Sequence, residues 1–250
     1  MYEETLSRIR RFIESRPEDS AAYGDYFDIV RAMWEGDREH AFKHDLWLRN
    51  ATALKVKETE DANAVLKFFE INKKTYLLAA KDDFDSYCVY LEWNRDKTKR
   101  FYVPRRATLR PLVQDLQELN DGALDFLGVS LPPRVGKSTL CIFFMTWIMG
   151  KRPGVANVMS GHSDKLTDGF YRETMNILTD AETYSWADVF PDVIQGHRNR
   201  SNGGNRERQQ DLLREVWRWL CKGHARIRRQ PQDQGLVYHR LITGGTHRDI

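Results

Sequence analysis

The chain has 250 residues, 41% hydrophobic and 30% charged, with a formal net charge of +3, which accommodates one α/β domain and an appendage under a polar surface. No segment reaches the roughly 20 apolar residues that span a bilayer, and Met1-Tyr2-Glu3-Glu4-Thr5 lacks the basic-then-apolar design of a signal peptide. The expectation is a soluble, cytoplasmic protein without membrane contact, and the three cysteines, Cys88, Cys141 and Cys221, are too scattered for a zinc site or a disulfide framework.

Residues 1–95 read as a helical N-terminal region. Leu6, Ile9 and Ile13 form one apolar face, Tyr26, Phe27, Val30, Met33 and Trp34 another, and Phe84, Tyr87, Cys88 and Leu91 repeat the spacing. These stripes are packing surfaces and name no chemistry. His40 and His44 stand four apart among Glu39, Lys43 and Asp45; two imidazoles on one helix face would suit a metal, but no third ligand accompanies them, and a solvated face is the expectation.

Asp96 to Arg110 is basic, with Lys97, Lys99, Arg100, Arg105, Arg106 and Arg110 interleaved with Phe101, Tyr102 and Pro104. Such a cluster either stacks a base, approaches a phosphate backbone, or is a solvated linker. Leu109, Leu112, Val113, Leu116 and Leu119 follow at helical spacing, up to the turn-forming Asn120-Asp121-Gly122. Leu124 to Ser130 then reads as a strand.

Ser130-Leu131-Pro132-Pro133-Arg134-Val135-Gly136-Lys137-Ser138-Thr139 is the sharpest motif in the chain. A GKS turn between a strand and a helix is the context of a phosphate-binding loop, whose backbone N–H groups wrap phosphates while the Lys ammonium reaches the β/γ oxygens and the next hydroxyl helps hold Mg²⁺. Lys137 and Ser138 occupy those positions, although the usual leading glycine is replaced by Leu131. The apolar run Leu140 to Met149 supplies the helix, with Cys141 in its core and Gly150 at its end.

Ala156 to Ser160 suggests a second strand, and Ser163 opens a helix with Leu166, Phe170, Met175 and Leu178 inward. Alternating strands and helices predict a parallel sheet with ligand at the strands' C-terminal ends. His162 either faces that ligand or makes a structural hydrogen bond.

The run from about Phe101 to Val193, about two-fifths of the chain, resembles the ATPase half of a bacteriophage terminase large subunit. The resemblance rests on Phe101-Tyr102-Val103-Pro104-Arg105-Arg106, on Leu131-Pro132-Pro133-Arg134-Val135-Gly136-Lys137-Ser138, on Val158-Met159-Ser160-Gly161-His162-Ser163 and on Phe190-Pro191-Asp192. A Pro-Pro-Arg loop without the leading glycine is common in that family. The resemblance implies an α/β fold: a P-loop NTPase core with an incomplete parallel sheet over residues 96–196, preceded by the helical region. It implies ATP and Mg²⁺ as cofactors, held by Arg134, Val135, Gly136, Lys137, Ser138 and Thr139, with Ser138 on the metal. Lys137 and Arg134 would be catalytic, Arg134 as γ-phosphate sensor or charge stabiliser unless it is merely a solvated loop charge. The implied partners are double-stranded DNA, portal protein and small terminase subunit, in the host bacterial cytoplasm. Another P-loop DNA motor of helicase type and a non-catalytic remnant are the alternatives.

The last segment changes character. Residues 197–250 hold 12 Lys+Arg against 5 Asp+Glu, whereas the preceding 196 hold 27 against 31. Only Leu212 to Leu220 resembles a helix there, and Leu236-Val237-Tyr238 is the sole late strand candidate. A translocating ATPase needs an apolar strand ending in acids that hold Mg²⁺ and activate water. None follows Lys137, so weak hydrolysis is expected. The tail therefore reads as the product of a truncation or reading-frame change near Val193 to Gly196, or else as a basic DNA-binding arm. Translating the encoding DNA in its other two frames downstream of codon 193 should reveal an apolar strand ending in Asp or Glu; its absence, with no continuing open frame, would favour the basic arm.

Overall fold

Aspartates open three of the first four helices. The computed structural model describes residues 2–193, in two units that divide between Tyr90 and Leu91. The first contains α1 (Tyr2–Ser15), α2 (Ser20–Trp34), α3 (Arg38–Glu58) and α4 (Ala62–Ala79), and α5 (Phe84–Leu91) ends at the division. Asp19, Asp37 and Asp61 precede α2, α3 and α4 and accept hydrogen bonds from first-turn N–H groups, at 3.1 Å from Ala21, 3.2 Å from His40 and 3.0 Å from Ala64. Each cap satisfies a donor that the helix itself leaves open, a contribution of about 1 kcal/mol.

Packing follows the apolar stripes. Leu6 and Ile13 of α1, Tyr23, Tyr26, Phe27, Val30, Met33 and Trp34 of α2, and Phe68 and Ile71 of α4 are buried in one core. α3 meets that core with a mixed stripe, since Ala41 and Leu48 are buried together with Asp45, Arg49 and Thr52. Arg49 Nη2 donates to Asp45 Oδ2 at 2.6 Å, and Arg49 Nη1 donates to Ser86 Oγ at 2.9 Å. Its guanidinium also lies 4.0 Å from the centre of the Tyr76 ring. Ser86 Oγ in turn donates to Asp83. Asn72 Nδ2 donates to Arg49 O and Thr52 Oγ1 at 2.8 and 2.9 Å.

His40 and His44 do not form a metal pair. His40 Nδ1 lies 2.8 Å from Asp37 Oδ2, while His44 bridges Tyr26 Oη at 2.6 Å and Glu3 Oε1 at 3.2 Å. Among the described residues no group of three or more His, Cys, Asp or Glu is placed to hold a metal ion.

The second unit begins with turns. Two 3-10 turns, Lys97–Lys99 and Val103–Arg105, lead into α6 (Arg106–Asn120), followed by α7 (Lys137–Lys151), α8 (Asp164–Thr179) and the short α9 (Trp186–Val189). α6 buries Leu109, Leu112, Val113 and Leu116. α7 buries Leu140, Ile142, Phe143 and Trp147, and its far end is held where Trp186 Nε1 donates to Thr146 O at 3.0 Å and Arg152 Nη2 donates to Asn120 O at 2.9 Å. The Phe190 ring lies against Gly150, where a Cβ would collide with it. Phe190 of the Phe190-Pro191-Asp192 signature is thus a core residue. α8 is capped by Ser163 and buries Thr167, Thr174 and Ile177, so its inward face is turned from the expected one and Leu166 is exposed.

The expected α/β fold, a P-loop NTPase core with a parallel sheet, is corrected by the structure. About 70% of the described chain is helical and no strand is present among the described residues. Residues 124–130 are irregular apart from an isolated bridge position at Gly128, and residues 156–160 have no regular secondary structure. The physical reason lies in their side chains. Phe126 is 68% exposed and Val158 61% exposed, so the apolar surface that a sheet would bury remains in solvent and nothing offsets the cost of fixing the backbone. The 197–250 tail, with its helix and strand candidates and Cys221, lies outside the described residues.

Burial pushes the Asp45 carboxyl up to about 7 from its ordinary 3.8, against the opposing pull of Arg49. A raised carboxyl stabilises the fold below its unfolded pKa and loses that contribution as pH rises through the folded one. The stability of the first unit should therefore fall between about pH 4 and 7 through this group. Urea midpoints followed by far-ultraviolet circular dichroism should show a flatter pH dependence in Asp45→Asn; an unchanged slope would assign the dependence elsewhere. Above that range Asp45→Ala should cost about 3–5 kcal/mol, because Arg49 is left buried without its anion.

Candidate phosphate-binding site

The loop between Leu131 and Gly136 has a conformation that most residues avoid. Arg134 has φ of 66° and Gly136 φ of 102°, both in the left-handed region, which costs a non-glycine residue roughly 1–2 kcal/mol. Gly136 is also the N-terminal cap of α7, and no side chain among the described residues caps that end. The first-turn N–H groups of a 15-residue helix are left to meet an anion, with the helix dipole favouring negative charge there.

A cavity of about 340 Å³ opens at this point, lined by Phe101, Arg105, Arg134, Gly136, Lys137, Ser138 and Thr139. Five of the six expected site residues therefore converge on one space, and Val135 sits half-buried in the loop behind them. Lys137 Nζ donates to Leu131 O at 3.0 Å, folding the ammonium back across the loop and closing it on itself. Arg134 and Ser138 are exposed, and Thr139 is half-exposed. The lining combines three cations, two hydroxyls and one aromatic ring. Among the described residues no carboxylate lines it.

The basic segment before α6 supplies the other wall. Phe101 packs edge-on against Phe143 of α7, with ring centres 5.5 Å apart. A Cβ at Gly136 would collide with the Phe101 ring, so the glycine is required twice, by its backbone angle and by this close approach. Arg105 lies over the Phe101 ring at 5.3 Å and donates from Nη1 to Phe101 O at 3.0 Å. Other members of the cluster go elsewhere. Arg100 donates to Trp93 O at 2.6 Å and Arg95 O at 3.0 Å, and Lys97 and Lys99 are exposed on their turn.

Glu92 fixes this wall and was missed in the sequence. Its carboxylate has no exposed surface and accepts from Phe101 N at 2.9 Å, Tyr102 N at 2.8 Å and Arg95 Nη1 at 2.9 Å. A lone carboxylate inside the apolar run Tyr87 to Trp93 was the available signal. Arg95 also donates to Tyr184 Oη at 3.2 Å, and Ser185 N donates to Leu91 O at 2.9 Å, so residues 184–185 brace the same strand of contacts. Burial pushes the Tyr184 hydroxyl up to about 12, which keeps it a neutral hydrogen-bonding group.

His162 is exposed and does not line the cavity. Cys141 is a free, half-buried thiol, pushed up by burial, instead of a fully enclosed core residue. No helix among the described residues is long and apolar enough to cross a membrane. The chain matches no family model, no curated protein and no solved structure.

Gly136→Ala should destabilise the second unit by about 1–2 kcal/mol through the backbone angle alone, with a further loss because Phe101 must move. A urea midpoint within experimental error of the wild type would contradict the required close approach.

Proposed function

We propose that the chain binds ATP through the 131–139 loop, as the nucleotide-binding part of a phage terminase large subunit, the motor that couples ATP hydrolysis to packaging of viral DNA. The observation that carries this reading is the cavity in which Arg134, Lys137 and the hydroxyls of Ser138 and Thr139 converge beside the uncapped start of α7. Phosphate recognition of this kind asks only for N–H groups, a dipole and cations, and is independent of a sheet. Lys137, whose ammonium donates to Leu131 O, would give up that bond to reach phosphate oxygens. Mg²⁺ would be held by phosphate oxygens with the Ser138 hydroxyl, and would neutralise charge on the terminal phosphate. Arg134, which lines the same cavity, would meet the γ-phosphate on this reading. Double-stranded DNA, a portal protein and a small terminase subunit are the partners this reading entails, in the cytoplasm of the bacterial host.

A second reading, nucleotide binding without appreciable turnover, is favoured by the composition of the cavity wall. Phosphoryl transfer to water needs a group that orients the nucleophile, and its loss typically forfeits about 10² to 10⁴ in rate. Among the described residues, the cavity wall carries no carboxylate for that task. Steady ATP turnover by the purified chain, lost in Lys137→Ala, would decide for the motor.

Lys137→Ala should weaken ATP binding about tenfold or more, since a charge-assisted contact to phosphate contributes roughly 1.5–3 kcal/mol. Titration calorimetry on both proteins measures it. Equal affinities would remove the loop from the binding site.

A further inference from the structure

We infer that Arg105 is a ligand of the same polyphosphate, so that the 101–105 turn is the second wall of the phosphate site. This rests on the nucleotide reading of the loop given above. The sequence places Arg105 more than twenty residues before the loop, and its neighbours leave open whether the segment meets a base, a phosphate or solvent. The fold brings it to the same cavity as Arg134 and Lys137.

Three observations select the phosphate. Among the described residues the Arg105 guanidinium is anchored by one nitrogen, through the Nη1 bond to Phe101 O, and the side chain is exposed and lines the cavity. A guanidinium carries five donors in a planar fork suited to phosphate oxygens, so four remain for a ligand beyond that bond. The Phe101 ring, the only aromatic surface on the cavity wall among the described residues, is already covered by Arg105 and lies against Gly136 and Phe143. It therefore serves as a fixed platform for the arginine, with little open face to stack a base.

The platform is held from behind. Glu92 is a positioning residue: its buried carboxylate grips the N–H groups of Phe101 and Tyr102, which fixes the ring and hence the carbonyl that Arg105 uses. Three cations then face one ligand from two chain segments, a density of positive charge that suits a triphosphate better than a single phosphate.

The test uses sodium tripolyphosphate, ATP and adenosine as separate probes, titrated at one ionic strength into the full chain and its variants. Arg105→Ala should weaken tripolyphosphate and ATP by the same factor, about tenfold, and Arg105→Lys should recover part of the loss. Arg105→Gln keeps the stem that covers Phe101 and should reproduce the alanine result, which separates ligand contact from packing. ATP weakened with tripolyphosphate unchanged would place Arg105 on the base and overturn the inference. Both probes unchanged in the Arg105 variants, with Lys137→Ala still impaired, would overturn it while leaving the loop reading intact. Binding of neither probe by the wild-type chain would overturn both.

Discussion

The Glu92 carboxylate is enclosed completely, and an enclosed anion must be matched by donors or it destabilises the fold. Its matches are the N–H groups of Phe101 and Tyr102 and the guanidinium of Arg95. Those bonds turn the chain at residues 100–102, and everything that meets at the cavity depends on that turn. Phe101 is set against Gly136 and Phe143, Tyr102 is buried, and Arg105 is delivered to the rim. A single buried charge thus organises a site whose two arginines, Arg105 and Arg134, are exposed. The arrangement also explains why a side chain at Gly136 is costly, because the ring that Glu92 fixes occupies the space of a Cβ.

The first unit uses the same device on a larger scale. α3 presents Asp45, Arg49 and Thr52 inward, and the network reaches Ser86 and Asp83 on one side and Asn72 on the other. Asp45 Oδ1 and Arg49 Nε have no hydrogen-bond partner among the described residues, so the pair is only partly satisfied. A buried ion pair adds little net stability, but breaking one partner is expensive, so the network ties α3 to α4 and to the start of α5 at a fixed set of contacts. The surrounding apolar core supplies the driving force.

The two expected strands failed for a reason that a periodicity argument cannot detect. Residues 124–130 and 156–160 are apolar enough for strands, and their flanking turns are of the right type. A strand, however, is completed only by a partner, whereas a helix satisfies its own backbone. The helices at 106–120, 137–151 and 164–179 needed only a local pattern and a face to bury. The α8 face shows how far the local pattern reaches: the helix and its Ser163 cap were legible, but its rotation was decided by what it packs against, and Thr167 and Thr174 went inward in place of Leu166.

The sequence by itself determined the Gly136 turn and the start of α7, because glycine, lysine and hydroxyl residues at fixed spacing ahead of an apolar helix are a local arrangement that needs no distant partner. It determined the apolar stripes of α1, α2 and α6 for the same reason. Tertiary structure alone decided that Phe101 and Arg105 would join that loop, that Glu92 would be buried to hold them, and that Asp45 and Arg49 would pair in the interior instead of standing on a solvated face. Each of these depends on contacts between residues far apart in the chain or on burial of a charge, and neither leaves a periodic trace. A charge in an apolar run and an acid–base pair four residues apart are compatible with solvent or with the interior, and only packing chooses between them.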